Sequence, residues 1–257
     1  MRFALRRSAL SVAAMSVLTV FAVPASAANL IVNGGFEADA AVIQSPDPVT
    51  GWTASEAGIL GGVVVNSGSM SPVSGSATPG ANSGNYYGLL DLATPSHMAL
   101  SQTFAVGAQP LKAASLSYSW FASYSGDPAV AGNRMGLDST SNDDVFTIRV
   151  DILKSGAGAF STDAADLVFS NYWTAPISQL PSAWTVYSSA IPTDALMAGQ
   201  LYTLRFAAAS NRGPLIGGID DVALNVSAVP ETEAWVMLLA GLGIVVGVSR
   251  HRHPQFR

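Results

Sequence analysis

The 257-residue chain contains no cysteine, which excludes disulfide staples, thiolate nucleophiles, iron–sulfur clusters and cysteine-based zinc sites. Charge is scarce: Asp, Glu, Lys and Arg make up 11% of residues, against roughly 25% in a typical soluble domain. The 12 basic and 17 acidic residues give a formal net charge of −5. A nucleic-acid binder would carry a basic face, so nucleic acid is excluded as a partner. Of three histidines, His251 and His253 sit in the C-terminal tail, leaving His97, in what reads as a surface loop, as the one candidate base of the central region. No Gly-x-Ser-x-Gly elbow is present, and Gly61-Gly62-Val63 and Gly217-Gly218-Ile219 lack the Lys-Ser/Thr or helix that cradles phosphate. Outside the two ends, no window of twelve or more residues has helical periodicity. These absences point away from an enzyme.

What is present begins with the ends. Arg2, Arg6 and Arg7 precede an uncharged apolar stretch from Ala9 to Val23. Pro24 breaks it, and Ala25-Ser26-Ala27 supplies the small residues that signal peptidase requires. The stretch falls below the roughly 17–25 residues of a membrane span. Residues 1–27 therefore read as a cleaved signal peptide, with Ala28 first in the mature chain. At the other end, Trp235 to Val248 is an apolar run, followed at once by Arg250, Arg252 and Arg257. As a helix it would be short of a ~30 Å hydrocarbon core, and the positive-inside tendency would keep its basic tail cytoplasmic.

The C-terminal residues carry a resemblance. Val229-Pro230-Glu231-Thr232-Glu233, an apolar helix over 234–249 and a basic tail over 250–257 resemble the PEP-CTERM sorting signal of exported proteins in exopolysaccharide-making Gram-negative bacteria. The resemblance implies recognition and cutting by an exosortase-like membrane enzyme, membrane anchorage through the helix before processing, and delivery to the cell surface or extracellular matrix. Thr232 stands where the second proline of the box belongs, so retention as a weakly anchored membrane protein is the alternative outcome.

The middle, 28–228, reads as one antiparallel all-β domain without repeat or linker. Phe146, Ile148, Val150 and Ile152 alternate with Thr147, Arg149 and Asp151; Tyr202, Leu204, Phe206 and Ala208 alternate with Thr203 and Arg205. Leu116, Tyr118, Trp120, Ala122 and Tyr124 alternate with serines, broken by Phe121. Such period-two patterning marks half-buried strands, with the charged residues expected on the wet face. Further strands are expected over 29–33, 61–66, 85–92, 99–106, 166–173, 184–190 and 218–227. About ten short strands separated by turns predict a two-sheet jelly-roll sandwich.

Asn29 to Glu37, Gly51-Trp52 and Gly218 to Leu224 are similar to the opening and closing strands of galactose-binding-like jelly rolls, including carbohydrate-binding modules. That resemblance implies a structural Ca2+ shared by Glu37 and Asp220 or Asp221. From the residues themselves, Asp220 shares the parity of Val222, Leu224 and Val226, which points it to the apolar side; there it needs hydrogen bonds or a metal. Backbone N–H groups at a strand start are the alternative partner. A second acidic group, Asp138, Asn142, Asp143 and Asp144, fits no EF-hand spacing and reads as turn support. Among the aromatics, Trp120 is expected in the core and Trp52 at the sandwich end. Asn171-Tyr172-Trp173 is the candidate glycan contact, because adjacent strand residues face opposite ways and one of the two rings must leave the core. The expected protein is thus an exported, non-enzymatic sandwich, glycan-binding or adhesive. A surface-displayed polysaccharide-acting enzyme and a purely structural matrix protein are the alternatives.

Overall fold

A computed structural model describes residues 27–39, 49–57, 61–124, 136–138, 146–175, 182–211, 214–229, 238–239 and 241–244. Eleven strands are described: β1 (Ala28–Asn29), β2 (Thr53–Ala57), β3 (Gly62–Asn66), β4 (Tyr87–Leu92), β5 (Ser96–Ala105), β6 (Leu111–Tyr124), β7 (Phe146–Lys154), β8 (Leu167–Ala175), β9 (Thr185–Ala190), β10 (Leu201–Ser210) and β11 (Leu215–Ala228). They form two antiparallel sheets. The first runs β3-β4-β11-β6-β9, with β1 also paired to β11, and the second runs β2-β5-β10-β7-β8. From β4 onward the pairing is nested: β4 with β11, β5 with β10, β6 with β9, β7 with β8. This is the long hairpin of a jelly roll folded over on itself.

The expected strands are found within a few residues at their ends, save 29–33: the first strand is only Ala28–Asn29, and the chain leaves the sheet before the left-handed Asn33. The additional strand, β2, has the sequence TASEA, with a single β-branched side chain and no apolar alternation to announce it. The core between the sheets holds Phe146, Ile148, Val150 and Ile152 of β7 with Tyr202, Leu204, Phe206 and Ala208 of β10, and Leu116, Tyr118, Trp120 and Ala122 of β6. Trp52 closes one end, stacked on Phe36 at 5.5 Å.

The wet faces expected for these strands are largely dry. Thr147, Arg149 and Asp151 on β7 and Arg205 on β10 are all buried. The outer face of the second sheet packs Ala99, Ala207 and Ala209 against Leu137 and Phe160, side chains from connections that fold back across it. His97 lies within β5 on this face, edge-to-face with Phe160 at 4.4 Å, rather than in a surface loop. Likewise Val64, Tyr87, Leu89, Phe121 and Ile216 on the outer face of the first sheet pack against Val73, Ala81 and Trp184. Phe121 interrupts the serine face of β6 because that face is covered here. A chain with so few charges has three apolar layers to fill, and each strand can be apolar on both sides.

The segment that reads as a signal peptide (1–27, with Ala25), the Pro230 to Glu233 stretch that resembles a sorting box, and Arg250 and Arg252 lie outside the described residues, save Ala27. Residues 238–239 and 241–244 are helical. Among the described residues no helix is long and apolar enough to cross a membrane.

Candidate functional site

Three polar constellations stand out, and the first joins the opening and closing segments. Asn33 and Phe36 adopt left-handed backbone (φ 52° and 58°), which turns the chain so that Phe36 tucks beneath Trp52 and Glu37 emerges at the surface. Trp52 Nε1 donates to the Asn33 carbonyl at 3.1 Å, and Val222 N–H donates to the Gly34 carbonyl at 2.9 Å. On β11 a bulge between Asp220 and Ala223, with Asp221 left-handed at φ 52°, resets the alternation. Ile219 and Val222 both enter the core, so Asp220 points to the outer face, not to the core side that simple parity gives. It is nonetheless fully buried, under the 82–86 connection.

That connection wraps the three carboxylates singled out as calcium candidates. Asp220 accepts N–H bonds from Asn82 and Ser83, both 3.0 Å, and from Asp221 at 2.7 Å. Glu37 accepts from Asn85 at 2.7 Å and Tyr86 at 2.9 Å. Asp221 accepts from Asn82 Nδ2 at 2.7 Å, from the Ser83 hydroxyl, and from Ser119 Oγ at 3.3 Å. Gly84 is required between them: it is left-handed, and a Cβ there would lie 2.2 Å from Glu37 Oε1. Burial, reinforced by the neighbouring Asp221 charge, pushes the Asp220 carboxyl up to about 6, while the Tyr86 and Asn85 N–H groups hold Glu37 below its usual range. The structure therefore brings Glu37, Asp220 and Asp221 onto one loop, where backbone and side-chain donors meet them. Among the described residues no group of three or more His, Asp or Glu is arranged to hold a metal ion.

The second constellation is on β8. Trp173 faces inward and stacks on Trp120 at 4.4 Å, and Asn171 Nδ2 donates to the buried Tyr118 hydroxyl at 3.3 Å. Burial raises the pKa of that phenol. Tyr172 is the ring that leaves the core: it is 52% exposed, and the Arg149 guanidinium lies 5.3 Å from its centroid. The three candidate glycan residues are thus divided between two faces of one strand, Tyr172 alone facing solvent as a platform.

The third was read from sequence as a solvated surface. Asp151 sits between Arg149 and Arg205 beneath the covering loop. Arg149 reaches both of its oxygens at 3.2 Å, and Arg205 Nε one of them at 3.1 Å, with a second, shorter contact through Nη2. Arg205 Nη1 donates to the carbonyls of Ala159 and Ser161 at 2.9 and 2.8 Å, and Ser170 completes the set. The available signal was three charges sharing one sheet face in a chain that has few. Elsewhere Asp91, fully buried, accepts from the hydroxyls of Ser71 and Ser74. Asp138 is exposed; Asn142, Asp143 and Asp144 lie outside the described residues.

Neither a known protein family nor a curated protein matches the chain. Among solved structures it is similar to TmCBM61 in complex with β-1,4-galactotriose (17% identity, 77% of this chain and 97% of that one, TM-score 0.42). It is also similar to a family 11 carbohydrate-binding module from Clostridium thermocellum in complex with a β-1,3-1,4-mixed-linked tetrasaccharide (12%, 74% and 96%, 0.37). A third is the Stig cyclase Fisc from Fischerella sp. TAU (16%, 79% and 100%, 0.47). Their differing ligands and activities stay with those proteins.

Proposed function

We propose that this chain is an exported, non-enzymatic β-sandwich, sorted by its PEP-CTERM-like tail to the cell surface or exopolysaccharide matrix, where it contacts glycan. The observation that carries the reading is where the described strands begin and end. The sandwich begins with β1 at Ala28 and ends with β11 at Ala228, and these two strands pair, Ala28 opposite Val226. The last described backbone bond is Val229 N–H to the Pro110 carbonyl. Signal peptidase acting after Ala27 and an exosortase-like enzyme acting at the Pro230 box would both cut just beyond the first and last described strands. The test is intact mass and fractionation in a host with the matching sorting system and in one without. A species starting at Ala28 and lacking everything after about Pro230, seen only in the first host, is the expected result. An intact tail in the inner membrane of both hosts would overturn the sorting reading and leave a membrane-tethered domain.

For glycan contact we take Tyr172 as the platform: the Arg149 guanidinium lies 5.3 Å from the ring centroid and about half of the side chain is exposed to meet a sugar's C–H face. Retention of the protein in a gel cast with the host's matrix polysaccharide should be lost in Tyr172→Ala. Equal mobility with and without polysaccharide would favour a purely structural role, consistent with the hydroxyl-rich patch of Thr53, Ser101, Thr103 and Thr203 on the outer face of the second sheet. The non-enzymatic part is supported by what the acids do, since Glu37, Asp91, Asp151, Asp220 and Asp221 are all engaged by structural donors. A structural Ca2+ held by Glu37 and Asp220 or Asp221 with loop carbonyls would require these N–H groups to turn away. Calorimetric titration after chelation decides it: a flat trace leaves the hydrogen-bonded loop as the structural element.

A further inference from the structure

The two long flanks of the sandwich are finished differently. On one, β2 and β3 end the sheets, and the Glu56 side chain of β2 crosses over to accept the Val63 N–H of β3 at 3.0 Å; β3 itself is wholly buried. On the other, β8 and β9 end the sheets, and neither Leu167–Ala175 nor Thr185–Ala190 contains a charged residue, a proline or a glycine. The register of β9 against β6 runs without a bulge from Ser115–Ala190 to Trp120–Thr185. Every second residue of β9 and more is exposed, Val186 at 72%. Tyr187 is stacked on the buried Tyr118 at 5.0 Å, so the strand is held firmly against the core. Charge, proline, a bulge and a covering segment are the devices that blunt an edge strand, and β9 has none among the described residues.

We propose that β9 is a self-association edge, pairing antiparallel with β9 of a second copy across a two-fold axis at Ser188, so that the first sheet continues through the dimer. A second copy is the occupant the residues favour. With Ser188 on the axis, inward-facing Tyr187 stands opposite the partner's Ser189, and outward-facing Val186 opposite the partner's Ala190; equivalent faces meet, as an isologous contact requires. The chain carries a net charge of −5, and an uncharged strip is where two such molecules meet without opposing like charges.

The lack of cysteine makes the test direct. Opposed Cα atoms in an antiparallel pair are about 4.5–5.5 Å apart, within the roughly 4.4–6.8 Å that a disulfide spans. Full-length Ser188→Cys, exported into an oxidising compartment, should run at twice the chain mass without reductant and return to single mass with it. Thr103→Cys, exposed on the other sheet, should stay monomeric, and adding Val186→Lys to Ser188→Cys should remove the dimer. A monomeric Ser188→Cys with a titratable thiol overturns the proposal, as does equal cross-linking at Thr103→Cys or linkage to a protein of another mass. Sedimentation in mild detergent gives a reading without cysteine: wild type as a dimer and Val186→Lys as a monomer is expected, and a monomeric wild type refutes it.

Discussion

At the residue scale, adjacent glycines on β11 should respond to the same substitution with opposite signs. Gly217 faces inward, and a Cβ there would meet nothing within 4 Å. It opens into a small cavity of about 20 Å³ lined by Trp120, Trp173, Phe206 and Ala208 among others. Gly217→Ala fills that space and restricts the unfolded chain, which together should stabilise by about 1 kcal/mol. Gly218 faces outward, where a Cβ would fall 1.9 Å from Phe121 Cε1, and Phe121 is locked edge-to-face with Trp184 at 4.7 Å. Gly218→Ala should cost about 1–3 kcal/mol through overpacking. Thermal melts of the two variants check the pair; a rise for Gly218→Ala would mean that the Phe121 ring is free to move. Asp220 supplies a pH signature of its own. Its carboxyl sits at about 6 in the folded chain against 3.8 for the ordinary group, so between these values the native state binds more protons than the unfolded one. Its contribution to stability is complete below about pH 4 and is lost as pH rises through 6. Glu37, shifted downward, acts in the opposite sense and is felt only as pH falls below its ordinary 4.5. The melting temperature should therefore rise by a few degrees from pH 7 to pH 5. In Asp220→Asn that rise should vanish, although the variant is less stable overall because an amide now faces the loop N–H groups.

At the scale of the elements, the covered outer faces set the vulnerabilities. Asp151 holds Arg149 and Arg205 in a buried cluster that also fixes the Ala159–Ser161 connection. Removing one member of such a group leaves uncompensated charge, so Asp151→Asn should destabilise by about 3–5 kcal/mol. Limited proteolysis should then cut first within 155–166, the segment that Arg205 ties down. An uncut segment in a destabilised variant would show that Phe160 packing alone holds it. The same cluster explains how far alternation could be read. Inward positions of β6, β7 and β10 were legible because period two is a property of the strand itself. The fate of the outward positions was not, since it depends on connections of 12 residues or more folding back from elsewhere in the chain, such as 155–166. Phe121 was the local clue that an outer face is dry. For the candidate site, Glu37, Asp220 and Asp221 were recognisable as a set from the opening and closing motifs. The face that Asp220 occupies was not, because a bulge at Asp221 shifts parity by one residue and leaves no distinctive sequence trace. Tyr172 was separable from Trp173 only as one of a pair, until the Trp120 stack showed which ring is inside.

At the scale of the molecule, the first and last described strands lie side by side in one sheet. Ala28 lies opposite Val226, and the Asn29 side chain accepts N–H bonds from Ile31 and Leu224, both at 3.0 Å. The loops joining β4 to β5 and β10 to β11 lie at the far pole, where Leu92 meets Leu215. A protein tethered through residues after Val229 would thus present that far pole outward, with β9 running along its flank and available for lateral pairing. β11, the last described strand, is held by β6 as far as Ala228. Truncation after Val229 should accordingly leave the melting temperature within about 2 °C of the full chain, a shift that would correspond to about 1 kcal/mol at most, and should move the protein from the membrane fraction to the soluble periplasmic one. If the truncated chain melts much lower, residues 230–257 are part of the folded body, and an enzyme that removed them would release an unstable domain. If it melts alike but stays with the membrane, the body has a membrane attachment of its own, and the tail is not what holds it there.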